Sequence, residues 1–318
     1  MTHDSTKRQS LNRFGAAFFA LLAITEVLQY GTQVILEKTN PAILEHPAFI
    51  LVLSVVPVYF FALPVCVAIL GKSGNNAPAE QKSLSFPRFL LATVISFGVS
   101  SIGNCIGNIL TQLFSLVSGA PLTNPLIEIV TESNSALLFI TTLIIAPIGE
   151  ELIFRRLIVN HTRQYGEKFA VLLSGAMFAA FHTNIFQIPY AFLLGAVFAY
   201  IYIKTNKLRY TIILHAIINF FGGFLPSLVI NFLYGFLQDM TNISVTDSIL
   251  IIVVTMLELL YLLFLFGCGI TVLILGIVKG KSIRLEGENE KVNVFKQPFI
   301  VLYFAACLVL TVVRMIIG

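Results

Sequence analysis

The sequence predicts an all-α fold, a polytopic transmembrane helix bundle of about eight to nine spans. Three observations carry this reading. Of the 318 residues, 57% are hydrophobic and only 11% are charged, where a soluble domain carries about 25% charged residues. Mean hydropathy is +0.89, so there is too little charge to cover a water-facing surface. The apolar residues are also gathered into runs of roughly 20, the length a helix needs to cross the hydrocarbon core. The same composition excludes a disordered chain, a disulfide-framework secreted domain and a nucleic-acid binder. Cys66, Cys105, Cys268 and Cys307 all fall inside apolar runs without CxxC or CxxH spacing. They read as small buried hydrophobes.

Taken in order, the first candidate span is Phe14–Leu36. It follows the basic flank MTHDSTKRQSLNRF with no small-residue cleavage site, so it reads as a retained span and not as a removable signal. Ala48–Gly71 and Phe89–Gly119 are long apolar runs, and Ala136–Val159 contains Pro147. Lys168–His182 is the shortest and is expected to begin before Lys168. Phe186–Ile203 follows, then Leu208–Leu228 with Pro226 near its end, Ser248–Val278 and Pro298–Ile317. Asn231–Gln238 either continues the seventh span or lies at the interface. Pro147 and Pro226 predict kinks, because proline removes a helix hydrogen bond. The chain divides into N-terminal spans with a cytoplasmic loop (1–88), a motif-bearing core (89–228) and C-terminal spans (229–318).

The loops test this count, since cytoplasmic loops hold an excess of Lys and Arg. With nine alternations and a cytoplasmic N-terminus, 18 of the 20 basic residues fall inside, Arg155 and Arg156 among them. Lys38 and Arg314 are left outside with Glu37, Glu45, Glu128, Glu132, Asp239 and Asp247. The expected protein is therefore a multi-pass integral membrane protein, N-terminus cytoplasmic and C-terminus outside. Its basic surface is a topology signal, with no nucleic-acid partner. There is no internal repeat of the kind that marks many transporters. Asn242-Ile-Ser244 is a glycosylation-type triplet on the predicted outer face.

Ionisable groups within a span are costly and default to functional hypotheses. Of the sixteen acidic residues only Glu26, Glu150, Glu151 and Glu258 lie in the apolar segments, and of the five histidines only His182 and His215; four of these six fall between residues 150 and 215. Glu151 and Arg155 are four apart on a helix and can pair. Glu150 is about 100° round from Glu151 and points elsewhere, so one carboxylate can be structural while its neighbour does chemistry. The fifth span ends in Phe178-Ala-Ala-Phe181-His182, with Ser174, Gly175, Ala176, Ala179 and Ala180 permitting close helix contact. His215 and Asn219 share a face at i and i+4. A carboxylate to take a proton from water, two imidazoles and an amide donor for an oxyanion are the equipment of a hydrolase with an activated water. Each piece alone has a bland reading: a Glu pair at a helix end is usually solvated, and a membrane histidine usually joins two helices. Their occurrence in order, each in or bordering an apolar span, outweighs those readings.

Glu150-Glu151-xxx-Arg155, Phe178-xxx-His182 and His215-xxx-Asn219 resemble, in order and spacing, the three motifs of the CAAX-protease and bacteriocin-processing (CPBP, or Abi) family of intramembrane proteases. The resemblance implies an all-helical membrane endopeptidase, CAAX prenyl protease 2-like, with a polar cavity opening to the cytoplasmic side. It implies Glu150 as the base that activates water and His182 as the group holding or polarising that water. His215 and Asn219 would orient water or substrate and stabilise the oxyanion, with Glu151 and Arg155 supporting the site. Phe178, Asn104 and Asn108 are candidate cavity-lining residues; Asn104, Asn108 and Gln112 form a polar stripe beside Gly103-xxx-Gly107, for which interhelical hydrogen bonding is the commoner use. No cofactor is expected. A zinc-dependent variant would draw on Glu150, His182 and His215, although His-Glu-xx-His is absent. Expected partners are a peptide or protein substrate at the cytoplasmic membrane face, prenylated or bacteriocin-like, and membrane lipid, in a bacterial plasma membrane. The competing classes are a non-proteolytic immunity or scaffold protein and, less favoured, a transporter or proton relay. At about 1.5 Å per residue, Glu150 stands roughly 8 Å from Arg155 and His215 roughly 10 Å from Lys207–Arg209, whereas His182 stands roughly 20 Å from Lys168. The three agree in depth if the fifth span starts lower, on a helix projecting from near Arg163, or if its boundary differs from the one drawn.

Overall fold

The computed structural model describes residues 3–44, 46–71, 80–119, 121–124, 135–238, 244–279, 285 and 293–317. Among these there are nine long helices and no strand. They are α1 (His3–Thr39), α2 (Ala48–Leu70), α3 (Phe86–Ser118), α4 (Ser135–Tyr165), α5 (Glu167–Phe181), α6 (Ile188–Thr205), α7 (Leu208–Tyr234), α8 (Val245–Lys279) and α9 (Pro298–Ile317). Eight are long and apolar enough to cross a membrane. The exception is α5, whose 15 residues reach about 22 Å. Residues 231–238 continue the seventh helix. Asn242 of the glycosylation-type triplet, and Lys72, Glu45, Glu128, Glu132, Asp239, Lys281, Arg284 and Lys291 of the loop argument, lie outside the described residues.

Two apolar clusters organise the bundle. In the first, Phe14, Phe18 and Leu21 of α1 meet Ile153, Phe154 and Ile158 of α4, Met177 and Phe178 of α5, and Ile300 and Tyr303 of α9. The second joins Phe97 of α3, Leu194 and Phe198 of α6, Leu214 and Ile218 of α7, and Cys268 of α8. The polar motif residues lie where these clusters meet. Cys66, Cys268 and Cys307 are buried free thiols as expected, but Cys105 is exposed on α3. Its helix face is turned away from the bundle, which an apolar run alone does not reveal.

The predicted kinks take a specific form. Three π turns, Pro57–Ala62, Ile140–Ile145 and Phe220–Phe224, are closed by Leu63, Ala146 and Leu225, whose N–H groups reach back to Val58, Thr141 and Phe220. Each closing residue stands immediately before a proline: Pro64, Pro147 and Pro226. Proline lacks an N–H, and its ring clashes with the carbonyl four residues back. A wide turn ahead of it relieves that clash without ending the helix. A fourth π turn, Glu151–Leu157, has no proline behind it.

The boundary between α4 and α5 corrects the sequence estimate of depth. The fourth helix does not end near Val159 but runs on to Tyr165, and the chain reverses at Gly166, where φ is +115° and glycine avoids the Cβ penalty. Arg155, counted among the cytoplasmic basic charges, is 0% exposed and lies well inside the helix. Glu150 and His182 therefore stand equally far from Gly166 on the two arms of one hairpin. A Lys204–Glu167 ion pair of 2.8 Å brings the hairpin turn to the end of α6. At that same end Lys82 N–H bonds Thr205 O at 3.0 Å and Leu84 N–H bonds the Tyr210 hydroxyl at 3.1 Å. This basic end of the bundle collects the α4–α5 and α6–α7 turns and the start of α3. Helices α1 and α9 run in the same direction, Gly15 against Ile300 and Glu26 against Arg314.

Candidate active site

Helix α4 supplies two carboxylates and a guanidinium. Glu151 and Arg155 are both sealed at 0% exposure, with Arg155 Nε 3.0 Å from Glu151 Oε2, the i, i+4 pair that the spacing predicts. Arg155 Nη1 also donates to Ser174 Oγ at 3.3 Å, and that hydroxyl donates to Phe154 O at 2.6 Å. The guanidinium lies over the Phe178 ring at 4.5 Å, with Phe198 at 5.7 Å. A dry cation needs such compensation: a counter-charge, a hydrogen-bond acceptor and aromatic faces.

Glu150 differs in access, its side chain being 22% exposed. The expectation that it points away from its neighbour requires correction, because both carboxylates reach one imidazole. His215 Nδ1 lies 3.0 Å from Glu151 Oε1, and its Nε2 lies 3.5 Å from Glu150 Oε2. An ionised carboxylate only accepts hydrogen bonds, so the closer contact places a proton on Nδ1. Nε2 faces Glu150 at a separation long for a direct hydrogen bond. His215 is 4% exposed, and edge-on Phe178 at 5.9 Å and tilted Phe198 at 5.8 Å confine its ring.

His182 is held by its own helix. Its Nδ1 bonds Phe178 O at 2.8 Å; a carbonyl cannot donate, so Nδ1 carries the proton and the neutral ring's lone pair sits on Nε2. The ring stands edge-on to Phe178 at 4.7 Å and 89°. Phe178 is thus shared by Arg155, His182 and His215. At 2% exposure it is a packing platform, where the sequence reading offered it as a cavity wall. Asn219 Nδ2 donates to Thr142 O at 2.9 Å, which ties α7 to the π turn of α4 and leaves a second amide hydrogen. Among the described residues no hydrogen bond or ion pair links His182 or Asn219 to Glu150. None of their Glu, Asp, His and Cys side chains form a three-ligand metal cluster either.

Sequence reasoning missed two residues around Glu150. The Tyr59 ring of α2 packs so closely on Gly149 that no Cβ would fit there, and it lies within electrostatic reach of Glu150. Tyr190 of α6, whose hydroxyl accepts from Gln187 Nε2 at 2.8 Å, is a second such neighbour. Neither belongs to a motif, and only the packing of α2 and α6 brings them in. The polar stripe of α3 stays outside this centre. Asn104 and Asn108 are exposed, and Asn108 and Gln112 line a groove of about 660 Å³ with Thr111, Ser115 and Phe186, toward the end of α3 remote from the basic end.

Residues 132–221 match the family of type II CAAX prenyl endopeptidases described as Rce1-like, a stretch that holds all three motifs. The chain is similar to the UPF0177 protein YxdF of Lactococcus lactis subsp. lactis (strain IL1403), at 35% identity over 82 residues, 25% of this chain and 45% of that protein. It is similar to the membrane-embedded CAAX protease MroQ of Staphylococcus aureus (strain USA300), at 30% identity over 120 residues, 36% of this chain and 48% of that protein. The chain spans about half the length of the curated relatives it matches. No solved structure matches it. Residues 132–221 of this multi-pass membrane protein, with the carboxylate, imidazole and amide groups they bring together, are thus similar to the CAAX-protease family.

Proposed function

We propose that the chain is an intramembrane endopeptidase that hydrolyses a peptide bond with a water activated by Glu150. The observation that carries this reading is the division of labour between adjacent carboxylates. Glu151 is sealed and committed to Arg155 and His215, while Glu150 keeps 22% of its side chain exposed. In this mechanism the Glu150 carboxylate takes a proton from water as the hydroxide adds to the scissile carbonyl carbon. His182 Nε2 accepts the water's other hydrogen and orients it. The free amide hydrogen of Asn219 stabilises the oxyanion. Protonated Glu150 faces His215 Nε2, which can accept its hydrogen bond because Glu151 holds the proton on Nδ1. As the C–N bond breaks, the proton passes from Glu150 to the leaving amine.

The substrate class on this reading is a peptide at the cytoplasmic membrane face, prenylated or bacteriocin-like, in a bacterial plasma membrane. The bacterial origin of both relatives and the clustering of Arg163, Lys204 and Lys207 at one end support it. Comparing by mass spectrometry the membrane peptides of cells that carry the wild-type or the Glu150→Gln protein tests the chemistry. Products present with the first and missing with the second are expected, and a strong chelator should leave their yield unchanged. Identical peptide sets would overturn the peptidase reading, whereas loss of products with the chelator would replace the metal-free mechanism by the zinc-dependent one.

A further inference from the structure

Glu26 and Arg314 lie in α1 and α9, outside residues 132–221, and sequence reasoning finds no partner for Glu26. In the fold they face each other: Arg314 Nη2 lies 2.8 and 3.0 Å from the two Glu26 oxygens. The other terminal nitrogen, Nη1, donates to Thr183 Oγ1. Thr183 is 1% exposed and directly follows His182. Its φ of +45° is in the left-handed region, which a β-branched residue avoids. The other non-glycine residue with positive φ among those described is Asn206, a type that tolerates it. Helices commonly end on a left-handed glycine. Here α5 ends instead on a strained threonine whose hydroxyl is the acceptor for a guanidinium from another helix.

We infer that Glu26, Arg314 and Thr183 form a positioning clamp. By it, α1 and α9 fix the end of α5 so that the His182 ring stays on Phe178 with Nε2 turned toward the Glu150 water. The inference rests on the peptidase reading above. Strain at this place is what a purely structural helix end would shed, and strained backbone persists where the surroundings enforce it, often beside chemistry. The spans flanking the family motifs would then take part in the reaction without touching substrate.

Thr183→Gly separates the two roles, because it relieves the backbone while deleting the hydroxyl. The experiment uses the full chain in cells and in detergent, with peptides produced by wild type but not by Glu150→Gln as the cleavage readout. Expected for Thr183→Gly are an unfolding temperature at or above that of wild type, a cleavage rate lower on the order of tenfold to a hundredfold, and recovery in Thr183→Ser. Arg314→Gln should lose cleavage likewise. In nitrogen-15 histidine spectra His182 should show a proton on Nδ1 in the wild type and averaged tautomers in Thr183→Gly. Wild-type cleavage and an unchanged His182 signal in Thr183→Gly would overturn the clamp while leaving the peptidase reading intact. If no Glu150-dependent product exists, the peptidase reading falls, and the His182 signal still decides whether the clamp holds the ring.

Discussion

Replacing Arg155 by methionine tests whether the centre of the site is as dry as its geometry demands. Methionine keeps most of the side chain's length and can stay on Phe178, so little cavity opens. The loss is therefore electrostatic: Glu151, 0% exposed, is deprived of a cation at 3.0 Å and keeps His215 Nδ1 at 3.0 Å and the Thr211 hydroxyl, neither of which carries a fixed charge. Removing one partner of a buried pair costs about 3–5 kcal/mol, since the remaining charge has no solvent to turn to. The lost contact with Phe178 at 4.5 Å adds about 1–2 kcal/mol at most. Equilibrium unfolding in mixed micelles, followed by circular dichroism, measures this for Arg155→Met, Glu151→Gln and the double variant. Because the double variant removes both charges, it should be less destabilised than the sum of the singles, by about 1–3 kcal/mol. It should also fold without cleaving, because Glu151 no longer anchors His215 as a carboxylate. A stability for Arg155→Met within about 1 kcal/mol of wild type, or strict additivity, would mean a solvated pair and would refute the argument that one carboxylate is structural because it is sealed.

Gly149→Ala should destabilise the fold by about 1–3 kcal/mol, the usual penalty for overpacking, because its Cβ would enter the Tyr59 ring; Tyr59→Leu in the same background should recover part of it, as read by thermal unfolding. In a cysteine-free background, Arg209→Cys at the basic end should react with a membrane-impermeant maleimide only after the cells are permeabilised, and Ser118→Cys at the other end of α3 should react in intact cells. The reverse pattern would invert the orientation and place the groove beside Asn108 on the cytoplasmic side.

The helical class and the spans were legible because they depend on the length and polarity of continuous runs, which sequence displays directly. The Glu151–Arg155 pair was legible for the same reason: four residues on one helix are a local relation. What the sequence hid was contact through space. The fourth span reads as ending near Val159, yet the helix continues to Tyr165, and Arg155, counted with the cytoplasmic basic charges, is buried because Phe178, Phe198 and Ser174 converge on it from α5 and α6. Glu26 looked partnerless because Arg314 lies 288 residues away. Tyr59 and Tyr190 carry no motif, and nothing in their own segments distinguishes them from packing residues. The shared use of His215 by both glutamates escaped notice because an ideal α-helix holds adjacent side chains about 100° apart.

The wide turns explain how a bundle of apolar helices assembles a polar centre without a loop inside the membrane. An irregular backbone at that depth would strand unpaired N–H and C=O groups, whereas a π turn keeps its hydrogen bonds while shifting the register of everything beyond it. Thr142, whose carbonyl receives Asn219, lies in the π turn ahead of Pro147; Asn219 itself stands just before the π turn ahead of Pro226; Tyr59 lies in the one ahead of Pro64. Three prolines thus set the geometry of three groups around the glutamates. The turn at Glu151–Leu157 has no proline to require it. It starts at Glu151 and contains Arg155, and its wider path accompanies the convergence of Glu150 and Glu151 on His215 at 3.5 and 3.0 Å.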